Sequence, residues 1–219
     1  MKKLLLLFGM IPLLSTVNGQ GPAITDYPEL VVKFCPEALA SFNSPAVQFG
    51  LEYRFRPNNA WHNELGYVFN LNSSSAYLHR LNGVRLLSEF RFYLSKSRAS
   101  LYNNFYLGIS ARYIFWSADR TGTFWRDQYA YQQKINYNLK QHRVSLNLCM
   151  GKEVQLSERV TLGFGLLLGR GFQAQKSTGI PANSEYIRPD FQILRILQPG
   201  DPAGFVDFLI RFHLGYILK

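Results

Sequence analysis

The chain has 219 residues and a formal net charge of +10; 47% of it is hydrophobic and 15% aromatic, yet the mean hydropathy is only −0.09. That length suits a single domain. Apolar residues this abundant and this diluted must be interleaved with polar ones, which excludes a helical membrane protein built from long apolar runs. Two cysteines, Cys35 and Cys149, make no disulfide framework, and no Cys/His spacing suits a metal, so both thiols read as free and no metal or cofactor is expected.

The chain opens Met1-Lys2-Lys3, followed by the apolar run Leu4–Leu14 and small residues at Val17 and Gly19. A basic start, a short apolar core and a small-residue exit describe a secretory signal peptide over 1–19, cleaved before Gln20. The run is shorter than the roughly 20 residues of a spanning helix. Residues 20–29 then read as a lead, and 30–219 as one β-domain.

Within that domain apolar and polar residues alternate with period two, the pattern of strands with two different faces. Residues 30–42 give a first strand that Pro36 interrupts, so it either bends or gives way to a helical turn. Residues 46–56 set Val47, Phe49, Leu51, Tyr53 and Phe55 against Gln48, Gly50, Glu52, Arg54 and Arg56. A shorter strand over 61–69 opposes Leu65, Tyr67 and Phe69 to His62, Glu64 and Gly66. The scheme recurs over 84–94 (Arg85, Glu89, Arg91 and Tyr93 on the polar face), 103–115 (Arg112), 143–151 (Ser145, Asn147), 160–171 (mostly glycine) and about 206–216 (Asp207, Arg211, His213). Eight strands, most of nine residues or more, match the length and even number of a small outer-membrane barrel.

The connections alternate in length. Those at 43–45, 70–82, 118–138 and 173–205 face one end, and those at 57–60, 95–101 and 154–158 the other; the first hairpin apart, the former are long and the latter short. Short periplasmic turns and long outer loops produce this alternation. No proline occurs between Asn58 and Ile180, where most of the strands lie. The expected fold is therefore all-β, a single antiparallel up-and-down transmembrane β-barrel of about eight strands.

The kind of polar residue decides which face points inward. A water-facing sheet carries many lysines, whereas this polar face carries Arg, Glu, Gly, Ser, Asn and Tyr. Arginine pairs with carboxylates in a bidentate fork and tolerates burial better than lysine. Glu52, Arg54, Glu64, Arg85, Glu89, Arg91, Arg112 and Arg211 therefore read as an interior cluster of ion pairs, since unpaired charges in so narrow a lumen would be costly. Tyr53, Trp61, Tyr67, Tyr93, Tyr102, Tyr106, Tyr113, Trp116 and Tyr216 lie toward strand ends, where membrane-interface girdles form.

With Gly50-Leu51-Glu52-Tyr53-Arg54, Gly151-Lys152, Leu162-Gly163-Phe164-Gly165 and His213-Leu214-Gly215-Tyr216, the chain resembles a family of small, largely uncharacterised outer-membrane β-barrel proteins typical of Bacteroidetes. The resemblance covers 30–219 and implies an outer-membrane location, but no defined activity and no catalytic residues. The chain departs from it in ending Tyr216-Ile217-Leu218-Lys219, where such barrels end on an aromatic residue read by the assembly machinery; Tyr216 is the nearest candidate.

Catalysis is not expected. His142 and Ser145 fall on opposite faces, His213 points inward near Arg211, and Ser73-Ser74-Ser75 reads as a solvated turn, so no nucleophile and base meet. The long loops are the expected functional surface. Arg120, Trp125, Arg126 and Tyr129, with Tyr131 and Lys134, combine basic and aromatic groups that suit phosphates, sugars or a partner protein. The positive charge points to outer-membrane lipid and lipopolysaccharide phosphates rather than nucleic acid. The main reading is a structural, adhesive or ligand-binding outer-membrane barrel, with the barrel assembly machinery as a partner. The alternatives are a lipid-modifying enzyme in the same membrane and a soluble exported lipocalin-like carrier.

Overall fold

The computed structural model of the chain describes residues 28–41, 44–70, 78–94, 104–186 and 203–218. The expected signal peptide, most of the lead, Ser73-Ser74-Ser75 and Tyr102 lie outside the described residues. Nine strands form one antiparallel sheet: β1 (Glu29–Phe34), β2 (Ala46–Arg56), β3 (Asn59–Phe69), β4 (Leu78–Tyr93), β5 (Phe105–Arg126), β6 (Tyr131–Gln155), β7 (Val160–Thr178), β8 (Ser184–Tyr186) and β9 (Ala203–Leu218). β1 to β7 pair each with the next, β7 pairs with β9, and β9 pairs with β1, closing a ring of eight strands. β8 stands outside the ring and adds to the far end of β5, Phe124 opposite Tyr186. Closure removes the sheet edges that an open sheet would expose.

Both ends of the barrel are defined by register. Leu30 opposes Leu218, so the first and last strands start and finish at one end, together with the tight connections at 57–58 and 156–159. This is the turn end. The β5–β6 hairpin marks the far end.

The strand expected over 30–42 ends at Phe34 and gives way to a 3-10 turn at Pro36–Ala38, one of the two outcomes expected there. Proline has no N–H for the ladder but fits the first position of a helical turn, and Ala38 N and Leu39 N then donate to Cys35 O and Pro36 O at 3.2 and 3.1 Å. The loop expected at 118–138 is instead mostly strand: β5 and β6 keep an unbroken register from Phe105 opposite Lys152 to Arg126 opposite Tyr131. Only 127–130 turn, with Asp127, Gln128 and Tyr129 at φ of 48°, 56° and 73°. The loop expected at 173–205 begins with the last residues of β7 and includes β8.

The polar face points into the barrel and the apolar face out. Phe49, Leu65, Ile109, Leu148, Phe208 and Ile210 are all more than half exposed, Leu148 by 71%. Tyr53, Trp61, Tyr67 and Tyr216 share that outer face. Tyr93, Tyr106 and Trp116 do not: they point inward and are buried, so they are not part of any girdle. Arg54 and Arg91 lie over the Tyr93 and Tyr106 rings at 4.2 and 4.4 Å. At the far end Trp116, Ile114, Phe124, Ile135, Tyr137 and Leu139 form an apolar cluster closed by Ala38 from the 3-10 turn. Cys35 and Cys149 are free and buried.

Candidate functional site

The lumen is occupied by charge. Among the described residues the buried Asp and Glu are six (Glu29, Glu52, Glu64, Glu89, Glu153, Asp207) and the buried Lys and Arg also six (Lys33, Arg54, Arg85, Arg91, Arg112, Arg211), so their formal charges cancel. A narrow interior can hold that many charges only in such a balance, because a single unpaired ion would lose its hydration with no compensation.

The centre is one continuous network contributed by six of the eight ring strands. Lys33 of β1 donates to Glu52 of β2 at 2.7 Å and to Glu153 of β6. Arg91 of β4 bridges Glu52 at 2.6 Å, Glu89 at 2.7 Å and Glu153 at 3.1 Å. Arg211 of β9 pairs with Glu89 and with Glu64 of β3, and its Nη2 lies 3.0 Å from His62 Nε2. Tyr93 donates its hydroxyl to Glu52 at 2.9 Å, and Gln48 its amide to Glu64. Each carboxylate thus meets two or more donors, the condition under which a buried ion is tolerated.

β7 contributes space rather than charge. A Cβ on Gly163 would lie 1.9 Å from His213 Nε2, and one on Gly165 2.8 Å from the Tyr106 hydroxyl. These inward glycines seat the His213 and Tyr106 rings. Gly163→Ala is therefore expected to lower stability by roughly 1–3 kcal/mol, the usual cost of overpacking, read as the urea midpoint of the purified protein. Gly204→Ala, whose Cβ meets nothing nearer than 3.9 Å, should leave the midpoint unchanged.

All eight residues expected inside are buried there. Glu52, Glu64, Glu89, Arg91 and Arg211 belong to the network. Arg112 pairs separately with Asp207, which also accepts from Ser145 at 2.6 Å. Arg54 donates to Pro57 O and stacks 4.2 Å over the Tyr93 ring, while Arg85 reaches Ser44 O at 3.5 Å. Lys33, Glu153, His62, His213 and Asp207 complete the lumen without having been assigned to the cluster. Lys33 falls within the strand read over 30–42, and Glu153 sits where the period-two pattern of β6 leads once that strand continues past Gly151. His62, Asp207 and His213 were on the polar face but are not Arg or Glu.

At the far end the four expected surface residues have local partners. Arg126 donates to Ala182 O and Ser184 Oγ, both at 2.7 Å, and so ties the 182–184 turn to the hairpin. Tyr129 donates to Glu185, whose carboxylate holds the phenol above its usual range, and stacks edge-on to Trp125 at 6.0 Å. Arg120 lies lower, at the base of the hairpin opposite Leu78 and Tyr137. The structure therefore joins Trp125, Arg126 and Tyr129 in one contiguous tip and separates Arg120 from them. His142 is exposed and Ser145 buried, on opposite faces. No family model, curated protein or solved structure matches the chain.

Proposed function

We propose that this protein is an outer-membrane β-barrel, exported behind the signal peptide expected at 1–19, with a structural, adhesive or ligand-binding role carried at its far end and no catalysis. One observation carries the reading: a closed eight-stranded ring wears its large apolar side chains outside and equal numbers of buried acids and bases inside. In water that arrangement would expose one continuous apolar belt, far beyond what a soluble monomer tolerates. In a bilayer the same belt meets acyl chains, and the closed ladder satisfies every backbone group the lipid cannot.

The filled lumen speaks against a lipocalin-like carrier, which needs an apolar interior, and against a porin-like channel, which needs a wide one. Outer-membrane lipid and lipopolysaccharide are the partners of the belt. Lys140 and Lys176, directly opposed across β6 and β7 where the apolar belt gives way to polar residues, suit lipid phosphates. The barrel assembly machinery would insert it. The test is membrane fractionation with surface labelling of cysteines introduced at Thr123 and Tyr129. The expected result is sedimentation with the outer membrane and labelling in intact cells. Recovery of the mature protein from a membrane-free fraction would overturn the reading.

A further inference from the structure

The described surface holds a polar concavity at the base of the far-end hairpin. It has a volume of about 420 Å³ and is lined by Arg80, Asp119, Arg120, Thr121, Asn136 and Thr178, with Tyr137 and Asn138 completing the wall. That is within the range of small-molecule sites.

Two of its groups are held in place by neighbours. Asn138 Nδ2 donates to Asp119 Oδ1 at 3.0 Å, and Asn138 is itself fixed by Ser117 at 3.2 Å. Thr121 donates to Asn136 Oδ1 at 2.7 Å. These bonds leave the second oxygen of Asp119 as an acceptor and the Asn136 amide nitrogen as a donor, both preoriented. A constellation whose members are positioned by a surrounding layer of bonds is how rigid recognition sites are built.

Arg80 adds an independent observation. It sits in a β-bulge, where the β4–β5 register slips between His79 and Asn82, and its φ is 50°. A non-glycine residue in this region is strained by order 1 kcal/mol, and such strain collects at functional sites. Bulges also re-aim side chains. Here the bulge brings an exposed guanidinium to the groove wall.

We propose that this groove binds an acidic saccharide. The proposal rests on the reading of the far end as the ligand-facing end. The exposed guanidinium of Arg80 at the groove wall favours an anionic group. Asp119 would repel a bare phosphate but accepts from sugar hydroxyls, and the Asn136 amide donates to them. A carboxylate on a hydroxyl-bearing ring satisfies the whole set, with Arg80 on the carboxylate.

The test is saturation-transfer NMR on the detergent-solubilised full chain, its fold verified by heat-modifiable gel migration, with D-glucuronate, D-glucose and inorganic phosphate as probes. Glucuronate should bind at least about tenfold more tightly than glucose, the effect of one charge-assisted bond. Arg80→Gly is the decisive variant. Glycine adopts positive φ without strain, so the fold should be kept or stabilised while glucuronate binding falls by about tenfold or more. Asn136→Ala should weaken both sugars. Equal binding of the two sugars, no transfer to either in folded protein, phosphate competing as well as glucuronate, or unchanged glucuronate binding in folded Arg80→Gly would each overturn the proposal. Because the assay uses purified protein, these outcomes are independent of where the protein fractionates in the cell.

Discussion

Replacing Glu52 with Leu should lower the stability of the folded barrel by about 3–5 kcal/mol, the cost of removing one partner from a buried ion pair. Glu52 accepts from Lys33 and Arg91 through Oε2 and from Tyr93 through Oε1. Leucine fills much of the volume but leaves three donors facing an apolar group, and it shifts the lumen from formal neutrality to a net positive charge. The measurement is the temperature at which the compact gel band converts to the unfolded one, together with the urea midpoint. The compensated variant Lys33→Met/Glu52→Leu restores the charge balance and should lose less than the sum of the two single variants, since removing both partners costs far less than stranding one. Additive losses, or an unchanged midpoint in Glu52→Leu, would show that the network does not hold the barrel together.

Much of this site was legible in the sequence because period-two alternation is insensitive to where a strand ends. The interior positions of β2, β4 and β9 follow from counting outward from Glu52, Glu89 and Arg211, and all three are buried as the parity requires. Choosing arginine over lysine as the mark of an interior worked for the same reason, with one exception. Lys33 is buried because three strands bring Glu52, Glu153 and His213 around its ammonium, and a one-dimensional pattern carries no trace of that convergence.

The far end was misread for a physical reason. Apolar contrast disappears once a strand runs beyond the apolar belt, because its outer face there carries polar side chains. Thr121, Thr123, Lys134 and Asn136 are on that outer face, while Phe124, Ile135, Tyr137 and Leu139 continue the inward row above the lumen. A stretch polar on one side and sparsely apolar on the other resembles a loop in composition. Yet the register from Ser117 opposite Lys140 to Arg126 opposite Tyr131 is unbroken. The groove at its base could not be read from sequence at all. It depends on the slip at Arg80, which follows from how β4 meets β5 and not from either strand alone.

Arginine at Leu148 should be as damaging as any single change outside the lumen, and it discriminates between a bilayer and water around the barrel. Leu148 stands in the row that runs from Trp61 through Phe90 and Ile109 to Leu168 and Phe208, and it is 71% exposed. Its side chain contacts little of the protein, so a folded barrel in water would accept arginine there and become more soluble. At the middle of a hydrocarbon layer the same guanidinium costs roughly 2–4 kcal/mol, which corresponds to about a 30- to 1,000-fold loss in the folding equilibrium. Thr123→Arg is the matched control, because it places the same charge on the same outer face but on the hairpin above the belt. In refolding into phospholipid vesicles, Leu148→Arg should reduce the heat-modifiable fraction sharply and Thr123→Arg should not. Equal assembly of the two variants would mean that no hydrocarbon layer surrounds Leu148. The outward apolar belt would then have to be covered by protein, and the charge-filled lumen would belong to a soluble assembly.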